Sequence, residues 1–353
     1  MAYANISKPS LYNNTVLYTG DSSSTRGITG FGFQPDLVWV KTRNASNPHL
    51  VSDAVRGTNN NIQTNSSAAQ AVDYTQGYVS AFGVDGYTAQ AGSGGDNDIN
   101  GNTNTYASWC WKAGTTTGIT TNGSTTITPD AYSFNQSAGI SIVKYTGNAT
   151  AGAKVPHGLG VAPSMVVVKV LSTTNNWGVY MEPMGATNAM YLDQQSGETS
   201  DGWLNNTAPD DVNFTLSGGN YGNTSGNTHI AYCFANIKGY SKVGTYRGNS
   251  NANGSFIYCG FKPSWLMIKW TSTQDWEMFD NKRSPYNQVE KNLEANTSDT
   301  ENTDLKVDLL CNGFKLRKVD DSINNSSNTY QYLAFAEEPL VANVGSSIPA
   351  TAR

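Results

Sequence analysis

Three stretches of this 353-residue chain carry the same signals in the same order, so the chain must fold as three copies of one supersecondary unit. The first opens with Tyr18-Thr19-Gly20, passes through Gly32-Phe33-Gln34-Pro35 and continues into Leu37-Val38-Trp39-Val40-Lys41. The second has Tyr145-Thr146-Gly147, then Gly160-Val161-Ala162-Pro163, then Met165-Val166-Val167-Val168-Lys169. The third has Tyr246-Arg247-Gly248, then Gly260-Phe261-Lys262-Pro263, then Trp265-Leu266-Met267-Ile268-Lys269. The lysine always stands six residues after the proline. A second apolar stretch follows, with Trp177 and Trp276 at its start and His49-Leu50-Val51 in the first unit. Each unit closes on an aromatic run: Tyr106 to Trp111, His229 to Phe234 and Tyr330 to Phe335.

These signals specify strands. Gly-x-x-Pro is a turn, because glycine accepts positive φ and proline fixes φ near −65°. Runs such as Met165 to Val170 suit a strand covered on both faces. The lysine is expected to end the buried stretch and place its ammonium in water. Only Ser66 to Val72 and Asn287 to Ala295 suit short helices. The expected fold is all-β: three tandem β-sandwich repeat domains of jelly-roll or lectin-like type. Pro35 and Pro163 are 128 residues apart and Pro163 and Pro263 are 100 apart, which places an insertion at Thr115 to Asp130. The expected parts are an arm over 1–12, repeats over 13–118, 119–240 and 241–341, and a tail over 342–353. An arm of this kind docks on a neighbouring subunit or frays.

Composition narrows the function. Charged residues are 14% of the chain, well below the ~25% of an ordinary soluble domain, and Asn, Ser, Thr and Gly take their place. The net charge of −5 and the lack of a Lys/Arg cluster speak against nucleic acid as a partner. No run of about 18 apolar residues suggests membrane insertion, and the N-terminus has no secretory pattern. Synthesis in the cytosol is therefore expected, with Cys110, Cys233, Cys259 and Cys311 as free thiols.

Candidate chemistry is sparse. Asp96-Asn97-Asp98-Ile99-Asn100-Gly101 copies the first half of a calcium loop, making Asp96, Asp98 and Asn100 candidate Ca²⁺ ligands. Position twelve, where a bidentate acid belongs, is Ala107, so a solvated turn is the simpler reading and no cofactor is expected. Asp275 and Glu277 flank Trp276, a thin basis for glycoside hydrolysis. No nucleophile elbow, zinc spacing or phosphate loop is present, so no catalytic residues and no enzyme are expected. Trp177, Trp203 and Trp276 lie beside polar, turn-rich sequence and are the candidate glycan-stacking residues.

The whole pattern resembles a family. The Tyr-Thr-Gly, Gly-Phe-x-Pro-Asp-Leu-Val-Trp-Val-Lys, Asp53-Ala54-Val55-Arg56-Gly57 and aromatic closing signals, with Met1-Ala2-Tyr3 and Lys8-Pro9-Ser10, are similar to repeat proteins of tailed phages, marine ones especially. The resemblance implies a non-enzymatic virion structural protein, assembled in the host cytoplasm and exposed on the particle. It implies other virion proteins as partners and a homo-oligomer, a homotrimer first. The leading expectation is a tail-fibre or receptor-binding component touching host surface glycans. The alternative is a capsid decoration protein, and a glycan-degrading tailspike comes third. The second unit departs from the signature, with Gly-Val-Ala-Pro and no Asp-x-x-Arg-Gly. That pair is expected to be a structural bridge, echoed by Asp280-Asn281-Lys282-Arg283.

Overall fold

The computed structural model describes residues 4–340 apart from 220 and 327; the expected tail over 342–353 lies outside the described residues. The chain is all-β, built from antiparallel sheets in a β-sandwich architecture, with two three-residue 3₁₀ turns as its described helical segments. Asn287 to Ala295 is strand instead of helix, pairing through Val289–Glu294, and Ser66 to Val72 is loop ending in Ala71–Val72. Helical spacing lost in both places to pairing and to contact with a neighbouring repeat.

Each repeat contributes four strands in one spatial order: opening, closing, lysine-bearing and seam. The opening strands are Asn13–Thr19, Ile140–Thr146 and Ser241–Arg247. The closing strands are Thr105–Trp111, Thr228–Phe234 and Thr329–Pro339. The lysine strands are Leu37–Thr42, Met165–Val170 and Phe261–Trp270. The seam strands are Leu50–Asp53, Gly178–Met181 and Trp276–Asp280. Register is the same in each repeat. Tyr18 pairs with Tyr106, Tyr145 with His229 and Tyr246 with Tyr330. These rings stack at 4.9, 5.1 and 5.1 Å. The first tyrosine of each pair then donates its hydroxyl to a loop carbonyl, of Ile99, Gly222 or Ile323.

The lysine strands divide their side chains between two cores, as the period of two requires. In repeat 1, Val38 and Val40 fill the repeat's own interior beside Phe31 and Tyr87. Leu37 and Trp39 face the other way, into a core shared with repeats 2 and 3. Leu37, Met165 and Trp265 occupy equivalent places there, as do Trp39, Val167 and Met267, around an apolar cavity of about 40 Å³. Trp111, Phe234 and Phe335 close the cluster from the three closing strands, with Trp111 5.5 Å from Trp265.

The repeats therefore form a ring, and backbone hydrogen bonds show it closing. Two residues beyond each lysine, a carbonyl accepts an amide from the preceding repeat. Gln70 donates to Leu171 at 2.9 Å, Glu198 to Thr271 at 2.9 Å, and Glu301 of repeat 3 returns to Arg43 of repeat 1 at 2.7 Å. The described part of the arm packs on the chain itself, with Ile6 buried and the Asn5 amide bound to Lys238 O.

Candidate functional site

The three tryptophans expected to stack on sugars are each 1% exposed. Trp177 immediately precedes the seam strand of repeat 2 and donates Nε1–H across the seam to Gln63 O and Ser66 O of repeat 1. Trp276 does the same from repeat 3 to Tyr191 O of repeat 2. Trp203 packs on Tyr221 inside repeat 2. None has an open face for a pyranose. The carbonyls that meet the Trp177 and Trp276 indole N–H groups come from the neighbouring repeat and not from the polar sequence beside them.

The last candidate ligand of the calcium-loop string, Asn100, has counterparts in the other two repeats. Asn100, Asn223 and Asn324 hold one position and one role. Each side-chain oxygen accepts the amide that follows the Gly of the opening turn, from Asp21, Asn148 and Asn249. Each side-chain amide donates back to Ser23 O, Thr150 O or Asn251 O. Asn100 Oδ1 also accepts from Arg26 at 3.1 Å, so a cation already occupies its lone pairs. Asp96 accepts from Ser22. Burial lifts the Asp98 carboxyl to about 7, with Tyr74 and Lys41 pulling the other way. Among the described residues no three acid, histidine or cysteine side chains converge on a metal position.

The repeated lysines are buried, contrary to the expectation that they reach water. Lys169 Nζ donates to Ser67 O of repeat 1 at 2.8 Å and to Asn175 O at 2.5 Å. Lys269 Nζ donates to Gln195 O of repeat 2, Ser272 O and Gln274 O. Lys41 donates to Thr42 O and Ala45 O within repeat 1. Burial lowers all three, Lys41 and Lys169 to about 8 and Lys269 to about 7. Lys169 and Lys269 fold inward because the neighbouring repeat supplies a carbonyl at the place where water would have been, whereas Lys41 finds its carbonyls in its own repeat.

The Asp-x-x-Arg pairs are seam devices. Arg56 Nε lies 2.5 Å from Asp53 Oδ2, and Tyr232 of repeat 2 donates its hydroxyl to the same oxygen. In repeat 3 the Asp280–Arg283 pair is equally short, and Trp109 of repeat 1 donates Nε1–H to Asp280. Burial opposes the Asp280 charge, but Arg283 and Trp109 hold its carboxyl below the usual range. At the third seam Met181 and Leu333 stand in these places, both fully or nearly buried. Where the acid is missing, its hydrogen-bond donor is missing too. The sequence showed the acid–arginine pair; its aromatic partners, 179 and 171 residues away, were found only by the fold.

The flanking acids of Trp276 belong to separate networks. Glu277 is clamped by Lys306 at 2.5 Å and Asn292 at 2.7 Å, whereas Asp275 binds Gln195 and Asn296. Among the described residues the large aromatics that do face solvent are Phe256, Tyr258 and Tyr286, at 45%, 53% and 78% exposure. Phe256 and Tyr258 share the outer face of one short strand. Tyr258 borders a groove of about 420 Å³ lined also by Asn236, Lys238 and Lys242, and the Lys242 ammonium lies 5.7 Å from its ring. Alternation along Phe256-Ile257-Tyr258 was the available signal for that outward face.

Fold and interior together define a class: a single-chain ring of three β repeats joined at seams that bury tryptophans, lysines and acid–arginine pairs. Residues 8–339 match the family model described as a domain of unknown function, DUF7483, and the chain belongs to that family. Neither the curated proteins nor the solved structures contain a match.

Proposed function

We propose that this chain is a non-enzymatic structural protein carried on the surface of a tailed-phage particle. The observation that carries the reading is the closed ring. Lys169, Lys269, Trp177, Trp276 and both acid–arginine pairs, which stand out in the sequence, join one repeat to another, as suits a building block. The repeat signature's resemblance to tailed-phage proteins supplies the setting. A tail-fibre or receptor-binding place is the first reading. It is supported by Phe256, Tyr258 and Tyr286, which are open for stacking on host glycans where the buried tryptophans are not. A capsid decoration protein is the second. It is favoured by a threefold arrangement held within one chain, which fits a threefold lattice position with a single copy.

Immunogold labelling of intact particles separates the two. Label on the tail is expected under the first reading and label over the head under the second. Particles without label, and without this chain by mass spectrometry, refute the virion assignment.

A further inference from the structure

The three seams follow one plan with two departures: the repeat 2–repeat 3 seam has Met181 and Leu333 in place of the acid and its donor, and the repeat 1–repeat 3 seam lacks the inserted tryptophan of the other two. Where repeats 2 and 3 insert Trp177 and Trp276, repeat 1 inserts His49 toward repeat 3. Trp39 Nε1, which can only donate, lies 2.8 Å from His49 Nδ1, so Nδ1 is an acceptor. The ring proton therefore sits on Nε2, which donates to Glu294 O of repeat 3 at 3.0 Å. The ring is fully buried and neutral. This is also the one seam without a covalent link. Continuous backbone joins repeat 1 to 2 and repeat 2 to 3, whereas repeat 3 meets repeat 1 through contacts alone.

We propose that the repeat 1–repeat 3 seam is an acid-released latch with His49 as its trigger. A proton on Nδ1 breaks the Trp39 hydrogen bond and sets a cation in the seam, and the ring opens there while the other two seams stay shut.

The surroundings fix the direction. Burial, then Lys41 of the same repeat, disfavour a charged ring; the Glu294 carbonyl favours it; Arg283 of repeat 3 disfavours it again. The net result is a ring held well below its ordinary value. Opening returns it to about 6.5, so the closed state loses stability as pH falls below about 6.5. Other charged groups face the seam. Arg43 and Arg283 bind Glu301, and Arg283 also binds Asp280. Lys41 lies near Asp98, Asp299 and Glu301. Burial, Glu277 and Asp275 raise the Glu294 carboxyl to about 7, and its protonation works against opening. Those two acids belong to repeat 3 and stay with it when the seam parts. His157 and His229 are lowered to about 4 inside repeat 2, so pH 5 leaves them neutral.

Hydrogen exchange of the full chain reads the three seams separately, through the equivalent amides of Glu301, Gln70 and Glu198. His49→Gln keeps an uncharged N–H donor and removes the titration. The ratio of wild-type to H49Q exchange at Glu301 is expected to rise by up to about thirty-fold between pH 7.5 and 5. The same ratio at Gln70 and Glu198 is expected to stay flat. An unchanged ratio at Glu301, or an equal rise at all three, overturns the latch. If H49Q does not fold, the His49 imidazole is titrated by NMR in the wild-type chain. A value well below 6.5 supports the latch, and a value within half a unit of 6.5 overturns it.

Discussion

Lys269 shows what burial does to a residue whose type suggests water. Its ammonium faces three carbonyls from two repeats and the Trp276 ring at 5.9 Å. The folded value of about 7 lies below the ordinary lysine value of ~10.4, so between these limits the unfolded chain binds more protons. Stability supplied by this group therefore rises as pH increases from 7 toward 10. Lys269→Met removes that slope and leaves the carbonyls without a donor. Chemical denaturation of both proteins is expected to show a larger destabilisation by K269M at pH 9.5 than at pH 7. An equal loss at both pH values would mean that the ammonium is solvated. Asn100, Asn223 and Asn324 teach the same lesson. An Asp-x-Asp-x-Asn string proposes a cation, and only the tertiary partners show an amide already in full use.

At the scale of elements, the seam strands and closing strands vary together. Asp53 meets Tyr232, Asp280 meets Trp109, and Met181 takes the place of the acid where Leu333 replaces the donor. Met181→Asp places a buried carboxylate without an arginine or a hydroxyl. It is expected to cost about 3–5 kcal/mol in a denaturant titration. Adding Leu333→Tyr should recover about 1 kcal/mol or more through the restored hydrogen bond. No recovery in the double mutant would show that the seams are not interchangeable. Gly178 marks another local choice: the Tyr221 ring lies 2.0 Å from where its Cβ would be. Gly178→Val is expected to cost at least about 3 kcal/mol and to lower the midpoint without changing the slope.

Across the whole molecule, one apolar cluster spans all three repeats, from Trp39 and Trp111 through Val167 and Phe234 to Trp265 and Phe335. No repeat can expose its share of that surface without loss to the others. Unfolding is therefore expected as one cooperative calorimetric transition, with van't Hoff and calorimetric enthalpies equal within error. Three resolved transitions would mean that the repeats are independent beads. The sequence by itself determined the all-β class, the three units and the strand that carries each lysine, because turn residues and period-two patterning are local and repeat along the chain. It also gave the Asp-x-x-Arg pairs, whose partners lie three residues apart. What only the tertiary structure decided is where those units meet. Ring closure brings Trp177, Trp276, Lys169 and Lys269 against loops of another repeat and buries them. Whether a tryptophan or a lysine faces water is set by what covers it, and the covering chain here lies scores of residues away.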